Sequence, residues 1–484
     1  MSAPGGRLST GRSADVAVIG GGLAGLCAAI AAAKHGLRVV VVRRGLGTTA
    51  MSSGGLDFPA DLPRLYGAGV GGPGVSSAAT SEAAGTLGDW LRAAGAELRG
   101  RPGEEMLLLD TAGDVRRTNL ALVQHAAGSV ERWSGQGGKL LLLGVAGYPS
   151  FRPEWVRRRV VAAGLLPAER VAAGRVTVPG LKDEGDLPAA RLARALEVPD
   201  TAKAFASAVG RAAREAGASH VALPPVLGLE KASEVFRWVT EAVAAHAPVA
   251  VFELLSPPPS VPGQRLQDLL DRVAVAAGVE IASGRVTGAA LEAAPEPAEG
   301  PENLASVTVE SQGRNWTLSA REFILATGKY AAGGLDAGGL AVAEPVFGLA
   351  VFVPPPPGWP SAELPAGQRL VREMVYDRFA ARHPVFEAGL AVDWGLRPLG
   401  GDGRTPRFAN LRAAGSVLGG YNHFADGAGS GVAVVTGLEA GRLAAEAASA
   451  SEKGEAPAGA GAATPETGAG AATPETGAVG REPA

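Results

Sequence analysis

One cysteine in 484 residues narrows this chain before any motif is read. Cys27 alone can form no disulfide framework, and it cannot hold an iron-sulfur cluster, which takes about four thiolates. It is expected as a small packing residue, and its scarcity points to a cytoplasmic redox compartment. Long apolar runs are missing too: "LLLLGVAG" at 140–147 is far shorter than the ~20 residues that cross a bilayer, so the chain reads as soluble. The opening "MSAPGGRLSTGRS" has no apolar stretch, which excludes a signal peptide and marks residues 1–13 as a disordered leader. Charge of one sign is not in excess, at 45 basic against 48 acidic residues, which removes nucleic acid and strongly anionic membranes as partners. His35, His125, His220 and His246 have no metal-ligand spacing, and no metal site is expected. Residues 450–484 carry "AATPETGA" twice with almost no large apolar side chain, and read as a disordered tail.

Glycine is plentiful, and its placement is informative. In "DVAVIGGGLAGLCAAIAAAKHGLRVVVVRRG", Asp15 to Ile19 read as a buried strand, Gly20 to Gly25 as G-x-G-x-x-G, Leu26 to His35 as a helix and Val39 to Val42 as a second strand. Such a βαβ unit binds a dinucleotide: Gly20 permits the turn, Gly22 lets backbone N–H groups approach a phosphate, and Gly25 lets helix and strand pack closely. Gly21 completes the loop. An acid is expected at the end of the second strand to hold an adenosine ribose, yet Arg43 and Arg44 stand there.

Further along, strand-like and helical stretches alternate. "KLLLLGVAG" leads to a helix near 153–164, "ASHVALPPV" to one near 230–246, and "PVAVFELL" to one near 263–277, the pattern of a parallel sheet covered by helices. "ASVTVESQ" and "NWTLSA" alternate with period two and predict an antiparallel hairpin running into "EFILATGKYAAGG". The fold expected is α/β: a two-lobed flavoprotein with a discontinuous Rossmann-like domain (14–60, 279–335 and 385–449) and an inserted α/β second domain (61–278 and 336–384).

Three further segments are candidates for the flavin. Small hydroxylated residues and glycines in "GLGTTAMSSGGLDF", with Ser52, Ser53 and Gly54, leave donors for a flavin's polar edge. Thr327 and Gly328 end the Ala-Thr-Gly strand. Gly415, Ser416, Gly419, Gly420, Gly429, Ser430 and Gly431 precede a final helix, where such glycine density implies close backbone approach to something flat or charged, with plain helix packing as the alternative. His383 and His423 lie in segments that border the flavin. Arg397, in "GLRPL", is placed to hold a phosphate or a developing anion, or to pair with Asp393. Arg397 and His383 are the candidate catalytic residues.

Taken in order, "VAVIGGGLAGLCAAIAAAKHGLRVVVVRRG", "SSGGLDF", "LPPVLGL", "PPPSVPGQRL", "FILATGKYAAGGL", "EPVFGL", "GLAVDWGLRPL" and "GSVLGG" resemble the B subunit of anaerobic glycerol-3-phosphate dehydrogenase, from about Asp15 to Leu438. The resemblance implies FMN as cofactor, with FAD the alternative, and Arg43 or Arg44 near the terminal phosphate. It implies two partner chains: an FAD-containing catalytic A subunit, and an iron-sulfur C subunit that anchors the assembly to the inner face of the membrane. The assembly's substrates are then sn-glycerol 3-phosphate, oxidised to dihydroxyacetone phosphate, and a quinone. The competing readings are a free-standing fumarate-reductase-like FAD enzyme and a flavin-free scaffold subunit.

Overall fold

A computed structural model describes residues 11–67, 77–135, 137–181, 185–246, 248–293, 300–355, 366–367, 369–378 and 381–452. Residues 1–10 of the expected leader and 453–484 of the expected tail lie outside the described residues. The elements that carry the architecture are, in chain order, β1 Gly11–Ile19, α1 Leu23–Ala33, β2 Val39–Arg43, α2 Ser77–Ala93, β3 Leu140–Val145, α3 Pro153–Ala162, β4 Val171–Val176, α4 Pro199–Ala216, β5 His220–Leu223, α5 Ala232–Ala244, β6 Ala250–Glu253, α6 Val261–Ala276, β7 Glu280–Ser283, β8 Arg285–Leu291, β9 Leu304–Ser311, β10 Arg314–Leu325, β11 Leu411–Ala413 and α7 Gly429–Glu452.

The first lobe is built on a sheet of order β7-β2-β1-β10-β9-β8, with β11 also paired to β10. Pairing is parallel from β7 to β10 and for β11, and antiparallel through β8, β9 and β10. The change of sense happens within β10. Its first part is exposed or half-buried in the hairpin apart from Leu318, and its end, Phe323 to Leu325, is wholly buried between β1 and β11. A strand covered on both faces needs a continuous apolar run, and one with a wet face needs alternation. That is why the sequence divides this strand into two pieces, "NWTLSA" and "EFIL". β1 starts earlier than expected: Gly11 to Ala14 pair with Thr317 to Ala320. Residues 11–13 are therefore strand and not leader, because β10 is long enough to offer them ladder partners. At the other end α7 runs on to Glu452, past the expected start of the tail at 450.

The second lobe carries a parallel sheet of order β6-β5-β3-β4. From β3 the chain steps outward to β4 and then crosses to the other side for β5 and β6, with α3, α4 and α5 as cover. Its core is separate, formed by Leu140 to Leu143, Phe205, Val209, Val221, Val235, Val239 and Phe252. Two helices from the span assigned to this domain belong elsewhere: Leu87 and Leu91 of α2, and Leu266 and Leu270 of α6, pack in the first lobe's core with α1 and α7. Sequence position alone put them in the insertion, whereas their apolar faces match the helices covering the first sheet. Cys27 is fully buried on α1, and burial pushes its thiol up to about 12, so it is an inert packing residue.

Candidate functional site

The glycine loop sits where β1 ends and α1 begins, beside the end of β10. Gly20 has φ +115°, and a Cβ there would lie 2.2 Å from the Ala326 carbonyl oxygen. Gly25 is equally constrained, since its Cβ would lie 1.9 Å from the Gly20 carbonyl oxygen. Gly20 takes the left-handed turn and Gly25 the close approach of helix to strand.

What faces the loop is the chain itself. The segment after β2 folds back over it, and the Thr49 hydroxyl accepts the Leu23 N–H at 2.9 Å, the donor at the N-terminus of α1. A Cβ on Gly47 would lie 2.5 Å from Gly22 Cα and 3.0 Å from Gly22 N, so these two backbones are in direct contact. Arg43 does not reach out to a phosphate. Its side chain crosses Gly21 and its guanidinium donates twice to the Asp271 carboxylate, at 2.7 and 2.8 Å, while Arg44 is exposed. Gln267, one turn before Asp271 on α6, donates to the Gly21 carbonyl at 2.9 Å and to Asp271 at 3.0 Å.

Helix α6 also holds the returning segment from below. The carbonyl oxygens of Thr49, Ala50 and Ser52 each lie 2.7 Å from where a Cβ of Gly263 would be, at the first turn of α6, and Ser260 donates its hydroxyl to the Ser52 carbonyl while capping Gly263 N–H at 3.0 Å. The positive end of a helix favours converging carbonyl oxygens as it favours an anion. Gly54 packs on Pro262, and Ser53 Oγ accepts weakly from Gly55 N–H.

The C-terminal glycines make room for protein as well. A Cβ on Gly415 would meet Ala24, one on Gly419 would meet Tyr66 and Gly389, one on Gly420 the backbone of Arg64 to Tyr66, and one on Gly431 Leu62. The Gly431 N–H is taken by the Asp57 carbonyl at 2.9 Å. Gly429 lies against His423, Ser430 is half-buried, and Gly328 packs on Ala332 with Ser416 nearby. These contacts are with the chain's own backbone and side chains, in helices and in loops.

These residues do not fit a dinucleotide in the usual cradle. A pyrophosphate on Gly22 would need the space of Gly47 and the donor that Thr49 already takes, and the ribose position carries an arginine closed onto Asp271. Three buried oxygens, of Ser52, Gln267 and Thr327 side chains, have no hydrogen-bond partner among the described residues. Two of them face the chain's own glycines, Gln267 Oε1 towards Gly47 and Thr327 Oγ1 towards Gly334.

Each candidate catalytic residue has partners of its own. Arg397 is consumed by Asp393, with bonds of 2.8 Å from Nε and 2.7 Å from Nη2, the pairing the sequence offered as its alternative role. His383 Nδ1 accepts from the Tyr376 N–H at 3.0 Å and its ring lies edge-on to Phe386. Around Phe386 the structure gathers a cluster that sequence reasoning missed. Lys329, only 4 % exposed, donates to the Phe386 carbonyl at 2.7 Å, with its ammonium 5.5 Å from the Tyr421 ring centre. Burial lowers the Lys329 pKa to about 7, opposed by Glu387. His423 is lowered to about 4 by burial and then by Lys329, so it is neutral at pH 7. The Tyr421 hydroxyl is buried without a partner among the described residues. Lys329 can take up or release a proton near neutrality; its signal in "ATGKYAAGG" was a lysine beside a strand end that both neighbours bury.

The fold is that of a two-domain α/β flavoprotein. The chain belongs to the FAD binding domain family, which matches residues 15–432, and among curated proteins to the group named as the B subunit of anaerobic glycerol-3-phosphate dehydrogenase. A Halobacterium salinarum relative, named as the probable B subunit of that enzyme, is 32% identical, covering 90% of this chain and 98% of the relative. The B subunit from Vibrio cholerae serotype O1 is 26% identical over 88% of this chain and 95% of its own. Among solved structures the chain is similar to 3-ketosteroid delta1-dehydrogenase from Sterolibacterium denitrificans, 12% identical over 90% of this chain and 99% of that one, with a TM-score of 0.38. The family supports a flavin, and FAD in particular; the expectation of FMN, which came with the resemblance and the missing ribose acid, finds no support. Among the described residues there is no cluster of metal-ligating side chains and no helix long and apolar enough to cross a membrane.

Proposed function

We propose that this chain is the B subunit of an anaerobic, quinone-dependent glycerol-3-phosphate dehydrogenase. In this reading an FAD-containing A subunit oxidises sn-glycerol 3-phosphate to dihydroxyacetone phosphate, and an iron-sulfur C subunit passes the electrons to quinone and keeps the assembly at the inner face of the cell membrane. The observation that carries the reading is end-to-end similarity: 32% identity across 90% of this chain and 98% of a relative named for that role. A single cysteine is consistent with clusters carried by another chain. No redox step is assigned to this chain's residues.

The test is co-expression with A and C subunits of such an enzyme, followed by glycerol-3-phosphate-dependent reduction of a soluble quinone analogue and of quinone in membranes. The assembly is expected to be active and the isolated chain inactive. Full activity of the isolated chain in membranes would contradict the subunit reading and favour a free-standing flavoenzyme.

A further inference from the structure

We infer that the glycine loop of this chain is a closed structural joint that holds no dinucleotide, so that the protein keeps the shape of a flavoprotein without the flavin. Three groups around the loop are already engaged within the chain. The helix N-terminal donor, Leu23 N–H, is bonded to Thr49; the Gly21 carbonyl is bonded to Gln267; and the end of β2, where a ribose would be held, is closed by Arg43 and Asp271. These partners come from two segments, the return after β2 and α6, and the second clamps the first through the carbonyls gathered at Gly263.

The sharpest observation concerns Gly47. Its backbone, at φ −68° and ψ 170°, is extended and open to any residue, so glycine is not required by conformation there. What a side chain lacks at Gly47 is space, because a Cβ would lie 2.5 Å from Gly22 Cα. A loop standing off from the cradle to admit a pyrophosphate would tolerate a side chain at this position; a loop lying on the cradle cannot. Gly22 behaves oppositely. Its backbone is also extended, and a Cβ there would lie 3.6 Å from Thr49 Oγ1 and 3.8 Å from Gly47 Cα, ordinary contact distances. In a nucleotide-binding loop Gly22 is the position that must stay bare. In this closed joint Gly47 takes that part.

Opening the joint for a phosphate would break the Thr49 to Leu23 bond and lift three carbonyls off the first turn of α6. The subunit reading does not depend on this inference, since a bare scaffold and a flavin-carrying chain would both co-purify with the same partners.

The experiment uses the full chain, purified alone and with its co-expressed partners. Chromatography after denaturation is expected to find no FAD or FMN attributable to this chain, and titration with FAD or with ADP-ribose, which carries the adenosine and pyrophosphate but no flavin ring, is expected to show no saturable binding. Gly47→Ala is expected to lower Tm by about 2–4 °C, while Gly22→Ala leaves Tm unchanged. Should Gly47→Ala fail to fold, Thr49→Val, which removes the acceptor on Leu23 and keeps the volume, is expected to lower Tm in its place. Stoichiometric flavin release, saturable ADP-ribose binding, or a Gly47→Ala chain as stable as the wild type would each overturn the inference.

Discussion

At the carboxyl ends of β1 and β2 the chain folds Gly47, Thr49 and Gln267 onto its own glycine loop; at the carboxyl ends of β3 and β4 it leaves a cavity of about 540 Å3 lined by Tyr148, Arg152, Trp155 and Arg175. Both lobes carry parallel strands, whose carboxyl edge is where ligands usually enter. The difference shows that the motif and the space are separate properties. The first lobe has the nucleotide motif with the chain's own Gly47 lying against it, and the second has a cavity without the motif. Glycine density reports close approach, and the sequence does not say whether the approaching group is a phosphate or another stretch of backbone.

Helix α6 is what makes the two lobes differ, because it closes the first and ties it to the second. Arg265, on the face towards the second lobe, is fully buried and donates to Glu253 at the end of β6 and to the Gly228 carbonyl. Arg265→Met should therefore have the largest effect. Leaving Glu253 buried and unpaired is expected to cost about 3–5 kcal/mol in chemical denaturation. A loss under about 1 kcal/mol would mean that the lobes are joined by something other than this pair.

A smaller effect is expected at Lys329, where the closed lobe has buried a charge. The folded value of about 7 lies below the ordinary 10.5, so between these pH values the unfolded chain holds a proton that the folded chain has released. Stability contributed at this position therefore rises with pH from about 7 towards 10, and the penalty is complete below about 7. Lys329→Met should remove that dependence. The wild type minus variant difference is expected to change by on the order of 2 kcal/mol between pH 6.5 and 10. Superimposable pH profiles would show that the lysine is not buried as described.

The smallest pair of effects compares two arginines. Arg43→Ala, at a pair only 18% exposed on each side, is expected to cost about 1–2 kcal/mol, and Arg397→Ala, at a wetter pair, no more than about 0.5–1 kcal/mol. The reverse order would place Arg397, and not Arg43, at a joint.

Much of the fold was legible because its signals are local. The βαβ unit, the alternation of the second lobe and the hairpin of β9 with β10 all follow from periodicity and flanking glycines. The helix α1 begins at Leu23, inside the glycine motif, because Gly25 serves as both motif and first helical turn. What could not be read is long-range. Arg43 was seen to be out of place, but its partner Asp271 is 228 residues away, in a helix whose "GQRLQDLL" looks like any amphipathic stretch. Gln267 and Asp271 are spaced i and i+4 on that helix, a polar pair on an otherwise apolar face, and this was the one signal that could have named the partner. Lys329 and the aromatic group around Phe386 meet only when β10, the 383–387 turn and the 421–424 loop converge, and no spacing encodes that.

The measurement closest to the central claim is amide hydrogen exchange at Leu23 in the full chain without added nucleotide. An N–H at the first turn of a helix has no intrahelical acceptor and exchanges quickly unless something else caps it. The closed joint predicts that Leu23 is protected in the wild type to the level of the neighbouring helix, and that Thr49→Val abolishes the protection at Leu23 while leaving Ile30 in the same helix unchanged. Fast exchange at Leu23 in the wild type, slowed by FAD, would contradict it and return the glycine loop to a nucleotide.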